Sequence, residues 1–485
     1  MKSAKIDANA SIGPGRLNRR RFLQAAGAAS AASIFPTAVG AQRKKADVIV
    51  IGAGLSGLHA ALTMQDAGMS VLVVEAADRV GGRLLTLDGL PGRPEGGGAQ
   101  VGQSYGRILS RAYQYDIGIS FEARQRRGRV LAVGGKLIDA KDWATSPINP
   151  MPEQYKRIAP DAALFALGGP DNPFTDFDSW RLATGANDVS ASEFLSAKGL
   201  NADALGMANK ALNANALETY SMANVWRSLL LYKRDAEIGP SGAVAGGAQR
   251  LPEAMANALD EGALRLGSTV RAITGGRRGV KVETSTGVVE ADFAIVALPF
   301  PALKGIDFRP GFTGAQAKAI ADLPYTQIMQ VHFETSRPFW ESDGMAPAMW
   351  TDGPFERIFA TRDRESGDVV GFNAWVNGVG AAAFAGKSDE EIGGLLSAEM
   401  MRLRPASAGE TRINQVVRWT KDESYAGGAY MHWGPGQISD WADTMGASVG
   451  RIHFAGEHLS TLYTGMEGAM ESGERAALDI MERAA

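Results

Sequence analysis

The sequence predicts an α/β fold, a parallel-sheet domain of the βαβ type interrupted by inserted α+β segments. Three observations carry this expectation. An apolar run at residues 48–51 enters the glycine turn Gly52-Ala53-Gly54-Leu55-Ser56-Gly57, and a second apolar run at 71–74 ends at Glu75. Further strands are expected at 280–284 and 293–297. Between and after these runs the spacing turns helical or alternating, as expected of inserted material.

A short, continuously apolar run such as 48–51 suits a parallel strand covered on both faces. Residues 58–67 read as the helix after the turn and 71–74 as the next strand. Residues 135–240 are rich in Ala, Asn, Leu and Met at helix-like spacing, for example 191–195 and 202–212. Gly246-Gly247-Ala248-Gln249-Arg250-Leu251-Pro252 opens another helix, with Pro252 suited to its first turn. The strand at 293–297 runs into Leu298-Pro299. Alternating Met329, Val331 and Phe333 predict a half-exposed strand before Pro338-Phe339-Trp340. The expected organisation is one domain from 45–130, 241–310 and 415–485, and a second from 131–240 and 311–414.

The bulk composition excludes several classes. With 485 residues and 45% hydrophobic content the chain can bury substantial cores. A net charge of −3 leaves no footprint for nucleic acid. The basic run from Arg124 to Arg129 reads as a solvated turn. There is no cysteine, which removes disulfides, thiolate metal sites and cysteine nucleophiles. The five histidines show no metal-ligand spacing, so no metal is expected.

Residues 1–41 read as an address. Asn18-Arg19-Arg20-Arg21-Phe22-Leu23-Gln24 resembles a twin-arginine export signal, followed by a weakly apolar Ala-rich stretch and the small residues Val39-Gly40-Ala41. The expected partner is the twin-arginine export machinery, and the expected destination is the periplasm.

The glycine turn has a specific chemistry. Gly52 permits the tight turn, Gly54 lets the backbone approach a pyrophosphate, and Gly57 lets helix pack on strand, with Ser56 in the same turn. The helix N-terminus then holds the diphosphate. Glu75 ends the second strand at the distance where a carboxylate accepts from ribose hydroxyls. The stretch Arg79-Val80-Gly81-Gly82-Arg83 follows directly; Gly82 permits close contact, and Arg83 is suited to pair with the phosphate. These features indicate a Rossmann-like dinucleotide domain, with FAD favoured over NAD.

This stretch, with Glu95-Gly96-Gly97-Gly98-Ala99-Gln100, resembles the flavin-containing amine oxidase family, which includes monoamine, polyamine and L-amino acid oxidases. The resemblance resumes at 246–251, at Ala297-Leu298-Pro299, at Pro338-Phe339-Trp340, at Trp419, at 425–430 and at 454–469, and so covers nearly all of the chain after the export segment. It implies FAD lying along Gly97, Gly98 and Ala99, with Val270 meeting the adenine through its backbone. It further implies Trp419 beside the cofactor and Glu457 near the ribityl and phosphate region. Met466 and Glu467 would begin a helix aimed at the N1/C2 edge of the ring, where a helix N-terminus favours negative charge. The implied activity is oxidation of a small-molecule amine, with hydride transfer from the α-carbon to flavin N5 and hydrolysis of the resulting imine.

Within that resemblance Tyr430 matches the aromatic that flanks the substrate. The second flanking aromatic falls at Gly465, so Tyr463 serves only if its loop shifts. Ala429 replaces the cysteine that binds FAD covalently in some members, so the cofactor is expected to be non-covalent. The lysine expected near N5 is replaced by Gln330, and no lysine occurs between Lys318 and Lys387. That departure leaves two readings open: slow reaction with oxygen and a periplasmic electron carrier as acceptor, or a water held by Gln330 with oxidase behaviour retained. Other readings are an L-amino acid oxidase using Arg227 or Arg362 as carboxylate partner, and an FAD-dependent desaturase or isomerase of a polyene. The sequence leaves oligomeric state open, a homodimer included.

Overall fold

The strand Ala46–Ile51 lies inside an eight-stranded sheet because both of its faces are apolar; Val48, Ile49 and Val50 are wholly buried. It pairs in parallel with Val71–Val74 on one side and with Gly287–Val296 on the other. From one edge the order is Asp307–Arg309, Val270–Gly276, Gly279–Thr284, Gly287–Val296, Ala46–Ile51, Val71–Val74 and Leu264–Arg265. The strand Ile452–Phe454 also pairs in parallel with Gly287–Val296. The expected βαβ unit is therefore present, and its sheet is completed by strands from distant parts of the chain. The computed structural model describes residues 45–121, 128–363, 366–420 and 425–484; residues 1–41, expected to be an export address, and the basic residues 124–127 lie outside them.

Helix α1 (Leu55–Asp66) follows the glycine turn and buries Leu58, Leu62 and Met64 against this sheet. The C-terminal helix Gly465–Ala484 crosses α1 so closely that a Cβ on Gly473 would meet the Ser56 carbonyl. The two ends of the chain thus share one core.

A second, seven-stranded sheet runs Thr411–Trp419, Ile328–Thr335, Val369–Asn377, Arg357–Arg362, Ala348–Thr351, Arg129–Val133 and Lys136–Asp139. One face packs Met329, Val331, Phe333 and Phe372 against Ile392, Leu396 and Met400 of the helix Asp389–Leu403. The strand expected to be half-exposed at Met329, Val331 and Phe333 runs over Ile328–Thr335 and is buried on both faces: Gln330 and His332, which alternate with those apolar residues, are each 1% exposed. A face that would meet water in an isolated sheet is covered by the strand Glu95–Gly97.

The region between the sheets is helical, as its spacing predicts. Ala191–Ala197 starts with a reciprocal cap between Ser190 and Glu193, and Ala202–Asn209 starts at Asn201, whose side chain accepts from Ala204 N. The longer helix Met222–Ile238 is capped by Ser221. Residues Lys45–Ala485 form one compact unit, and both sheets contribute residues to one apolar core, Ile49 and Ile51 from the first and Leu131, Val133 and Trp350 from the second.

Candidate active site

A cavity of about 640 Å³ opens where the glycine turn, the 79–84 loop, Trp419, Tyr430, Glu457 and the start of the C-terminal helix converge. Its size falls within the range of cofactor and ligand sites.

Its first half is built by glycines whose side chains would collide with backbone. Gly52 sits at φ +104°, and a Cβ there would lie 2.8 Å from the Ala297 carbonyl oxygen; one on Gly57 would strike the Gly52 carbonyl. Gly54 differs: nothing in the protein lies within 4 Å of where its Cβ would be. Gly54 is also the N-cap of α1 and offers no side-chain cap, so the amide donors of the first turn are left for a ligand. Gly54, Leu55 and Ser56 all line the cavity.

Glu75 is held beside this turn by amide donors, Ala53 N at 2.7 Å and Ala77 N at 2.8 Å. Each carboxylate oxygen keeps acceptor capacity for a ribose hydroxyl. Arg79 fixes the next loop by donating to the carbonyls of Val80, Gly82 and Leu84. Val270 lines the same end of the cavity, and Gly82 lies with its Cβ direction 3.4 Å from Gly54 Cα. Arg83 also lines the cavity, but its Nη1 donates to Glu457 Oε1 at 2.8 Å and to the Ala429 carbonyl at 3.1 Å. The phosphate role expected for Arg83 therefore gives way, at this nitrogen, to anchoring Glu457, whose Oε1 also accepts from Met431 N.

The second half brings together Gly98, Trp419, Ala429, Tyr430, Gly465 and Met466. Two short-range reasons place them. Gly97 has no room for a Cβ, being pressed against the Arg83 carbonyl, and Gly98 at φ +79° turns the chain along the cavity. The C-terminal helix begins at Gly465, so its first turn points at this space. Burial pushes the Tyr430 phenol well above its ordinary pKa, with Arg357 opposing the rise, so the phenol stays neutral.

Six sequence-assigned residues sit elsewhere than the cavity wall. Gly57 and Gly97 shape its backbone without lining it, and Ala99 is exposed and not part of the lining. Glu467 is corrected: its fully buried carboxylate accepts from Arg107 N at 3.0 Å and Ile108 N at 3.1 Å, capping helix α2 (Gly106–Gln114). Burial raises its pKa against the pull of those donors and of Arg107. Tyr463 is likewise not on the wall; its ring meets Tyr105 edge to face at 5.7 Å. Gly465 occupies the wall instead, with open space where a side chain would project.

Gln330 is corrected most sharply. Its Nε2 donates to the Gly96 carbonyl at 3.1 Å, and its Oε1 accepts from Asn373 Nδ2 at 3.1 Å and His332 Nε2 at 2.9 Å. Because Oε1 can only accept, His332 carries its proton on Nε2, and burial lowers its pKa to about 4. The amide braces the Gly96 carbonyl and does not line the cavity. Trp419 Nε1 donates to the same Gly96 oxygen at 2.6 Å. His332 and Asn373 were not identifiable from sequence, since only strand pairing brings them to Gln330.

The two arginines considered as carboxylate partners are otherwise engaged. Arg227 stacks on Trp180 at 3.9 Å and donates Nη2 to the Thr461 and Tyr463 carbonyls; Arg362 donates to the Gly367 carbonyl. Among the described residues no group of His, Asp and Glu could hold a metal ion, and no helix is long and apolar enough to cross a membrane.

Comparison with known proteins agrees with this geometry. Residues 55–481 match the family model described as flavin containing amine oxidoreductase. The chain is 27% identical to an L-amino-acid oxidase of Mus musculus, over 90% of this chain and 71% of that protein. It is 26% identical to the flavin-containing amine oxidase B of Homo sapiens, over 90% of this chain and 86% of that one. Among solved structures, cyclohexylamine oxidase from Brevibacterium oxydans matches with a TM-score of 0.74 at 22% identity, covering 91% of this chain and 99% of that one. The open amide donors at Gly54, the Glu75 carboxylate and the wall from Gly98 to Met466 fit FAD, and the chain belongs to the flavin-containing amine oxidoreductase family.

Proposed function

We propose that this enzyme removes a hydride equivalent from the carbon bearing the nitrogen of a small amine. The imine so formed then hydrolyses to an aldehyde or ketone and ammonia or a smaller amine. The observation that carries this reading is the single cavity joining the uncapped N-terminus of α1 and Glu75 to Tyr430 and the first turn of the C-terminal helix. FAD, when bound, supplies the two-electron chemistry. The protein's residues hold and orient. Glu75 and the α1 amides fix the nucleotide end, and Gln330 and Trp419 clamp Gly96. Neutral Tyr430 presents a ring beside which an uncharged amine can settle. With no cysteine in the chain and Ala429 on the wall, a thioether to the cofactor is ruled out, which supports non-covalent binding.

Two features support a carrier rather than oxygen as the electron acceptor. Gln330 is neutral, and the sequence holds no lysine between Lys318 and Lys387 to supply a cation there. The twin-arginine pattern at 18–24 supports a periplasmic location. The test is anaerobic titration of the yellow holoprotein with a panel of amines, followed by identification of the carbonyl product. Bleaching with a matching carbonyl is the expected outcome. Pure folded protein that stays colourless after incubation with FAD would sink the proposal.

A further inference from the structure

A second cavity, of about 740 Å³, lies against the first without joining it: the two share no lining residue. In three segments, neighbouring residues face opposite ways between them. In the helix Phe300–Leu303, Ala302 lines the first cavity and Pro301 the second. At the end of the strand Thr411–Trp419, Trp419 lines the first, whereas Arg418 and Thr420 line the second, as strand alternation requires. Around Gly427, Ala426 and Ala429 line the first and Gly427 itself the second. The wall is therefore one chain thick, roughly 10 Å, the packing depth of a single layer. Two glycines keep it thin. A Cβ on Gly427 (φ +63°) would lie 2.3 Å from Pro301 Cβ, and one on Gly428 would lie 2.7 Å from Tyr325 Cβ. Side chains there would push the segment off Pro301 and Tyr325.

The inner face of this wall belongs to the Trp419 and Tyr430 half of the site, whereas Glu75 and α1 hold the nucleotide end. The wall thus backs the end where the redox chemistry takes place. No substrate passes between two spaces that share no lining, but electrons tunnel through a single layer of chain. The outer cavity has the volume of a small-molecule site. Leu323, Met329 and Phe384 give it a buried apolar floor. Lys304, an exposed residue of its lining, spends one donor on the Ala321 carbonyl, and an ammonium group carries three. Arg418, held by Asp389 and the Lys387 carbonyl, adds a second cation. Among the described residues no carboxylate lines the cavity. A quinone suits this combination. Its ring is apolar, its two oxygens only accept, and its reduction builds negative charge on them that a cation stabilises.

We propose that the second cavity binds a quinone-class acceptor, which draws electrons out of the enzyme through the wall at Gly427. The inference rests on the reading that a carrier rather than oxygen takes the electrons, and it names that carrier's class and place. In each turnover the amine loses two electrons and two protons, one proton from carbon and one from nitrogen, and becomes the imine. The quinone gains two electrons through the wall and two protons from solvent, and becomes the hydroquinone. The protons released on the amine side return to solvent.

The test uses FAD-loaded protein reduced anaerobically with stoichiometric dithionite, so that it does not depend on any amine. Stopped-flow mixing with a water-soluble dimethoxy-methyl-benzoquinone follows the return of the yellow colour. Calorimetry of the same quinone with oxidised protein follows binding alone. The wild type should reoxidise at a rate that saturates with quinone, and should show one calorimetric site. Ala382→Trp and Ala385→Trp, both at exposed positions of the lining, fill the cavity. Each should lower the second-order rate of reoxidation about tenfold or more and abolish the heat of binding. Lys304→Gln should slow reoxidation about threefold to tenfold, with Lys304→Arg closer to wild type. A flavin spectrum and melting temperature equal to wild type establish that a variant is folded and loaded, and the two tryptophan positions cover for one another. Reoxidation that never saturates, or that is equal in wild type and tryptophan variants, overturns the proposal, as does binding without reoxidation. Should air reoxidise the wild type as fast as the quinone does, the carrier reading itself fails, while the tryptophan variants still decide whether a quinone reacts at this cavity.

Discussion

Gln330 donates through Nε2 to the carbonyl oxygen of Gly96, 3.1 Å away and 234 positions earlier in the chain. That contact replaces what a lysine would do here. A lysine would carry a charge toward the cofactor, whereas Gln330 spends both ends of its amide on bracing the glycine strand. The absent charge is the physical basis for expecting sluggish reaction with oxygen. Gln330→Lys should raise the second-order rate of flavin reoxidation about tenfold, equivalent to about 1.4 kcal/mol of barrier. Stopped-flow mixing of reduced protein with aerated buffer measures this. Equal and rapid reoxidation in both proteins would show that the missing cation does not limit the reaction.

Gly54 and Gly57 separate cofactor binding from folding. A Cβ on Gly54 meets nothing in the protein, and its φ of −77° suits alanine. Gly54→Ala should change stability by no more than about 1 kcal/mol, yet weaken FAD binding by tenfold or more because the methyl group projects where the pyrophosphate would lie. Gly57→Ala instead drives a methyl group into the Gly52 carbonyl, and neither backbone segment can yield cheaply. It should cost about 1–3 kcal/mol or more of stability and lose FAD as well. Denaturant melts of the apoproteins alongside FAD titrations resolve the two cases.

The legibility of this site follows from how local each signal is. The strand at Ala46–Ile51, its glycine turn and Glu75 are encoded within 30 residues, and all fall as the sequence predicts. Met466 and Glu467 illustrate the limit. Successive residues on a helix project about 100° apart, so only one of the pair can face the cavity. Met466 does, and Glu467 turns to α2. The half-exposed strand expected from Met329, Val331 and Phe333 failed for a related reason. Alternation reports two faces, but not that Glu95–Gly97 covers the second.

Glu467 should behave as a helix cap rather than a cofactor ligand. Its carboxylate serves two amides of α2 and pairs with Arg107, which also bridges Glu474 at 2.7 Å. Glu467→Ala leaves two amide donors of α2 without their acceptor and removes one of the two carboxylates on Arg107, a loss of about 2–4 kcal/mol. Glu467→Gln keeps an acceptor and should lose less. In both variants that remain folded, the FAD dissociation constant should stay within about threefold of wild type. A tenfold weakening in Glu467→Gln with unchanged stability would return Glu467 to the cofactor site.

Glu356 gives the molecule a pH dependence of defined sign. Its carboxyl is 2% exposed, and burial raises its pKa to about 7 despite donation from Asn377 N and the nearby Lys210. In the unfolded chain the same group titrates near its ordinary value of 4.5. Between these limits the folded protein binds a proton that the unfolded chain has released, so stability must fall as pH rises through the window. The contribution is fully present below about pH 4.5 and gone above about pH 7, and its full span is about 3 kcal/mol. Glu356→Gln retains an acceptor for Asn377 N without a titrating proton. The stability difference, variant minus wild type, should therefore grow by up to that amount between about pH 5 and pH 8. Urea melts at unit pH steps measure it, and the difference cancels the separate contribution of the buried histidines, whose lowered pKa values act in the opposite direction. Parallel curves for the two proteins would mean that Glu356 is already ionised in the fold at pH 5, held so by Lys210.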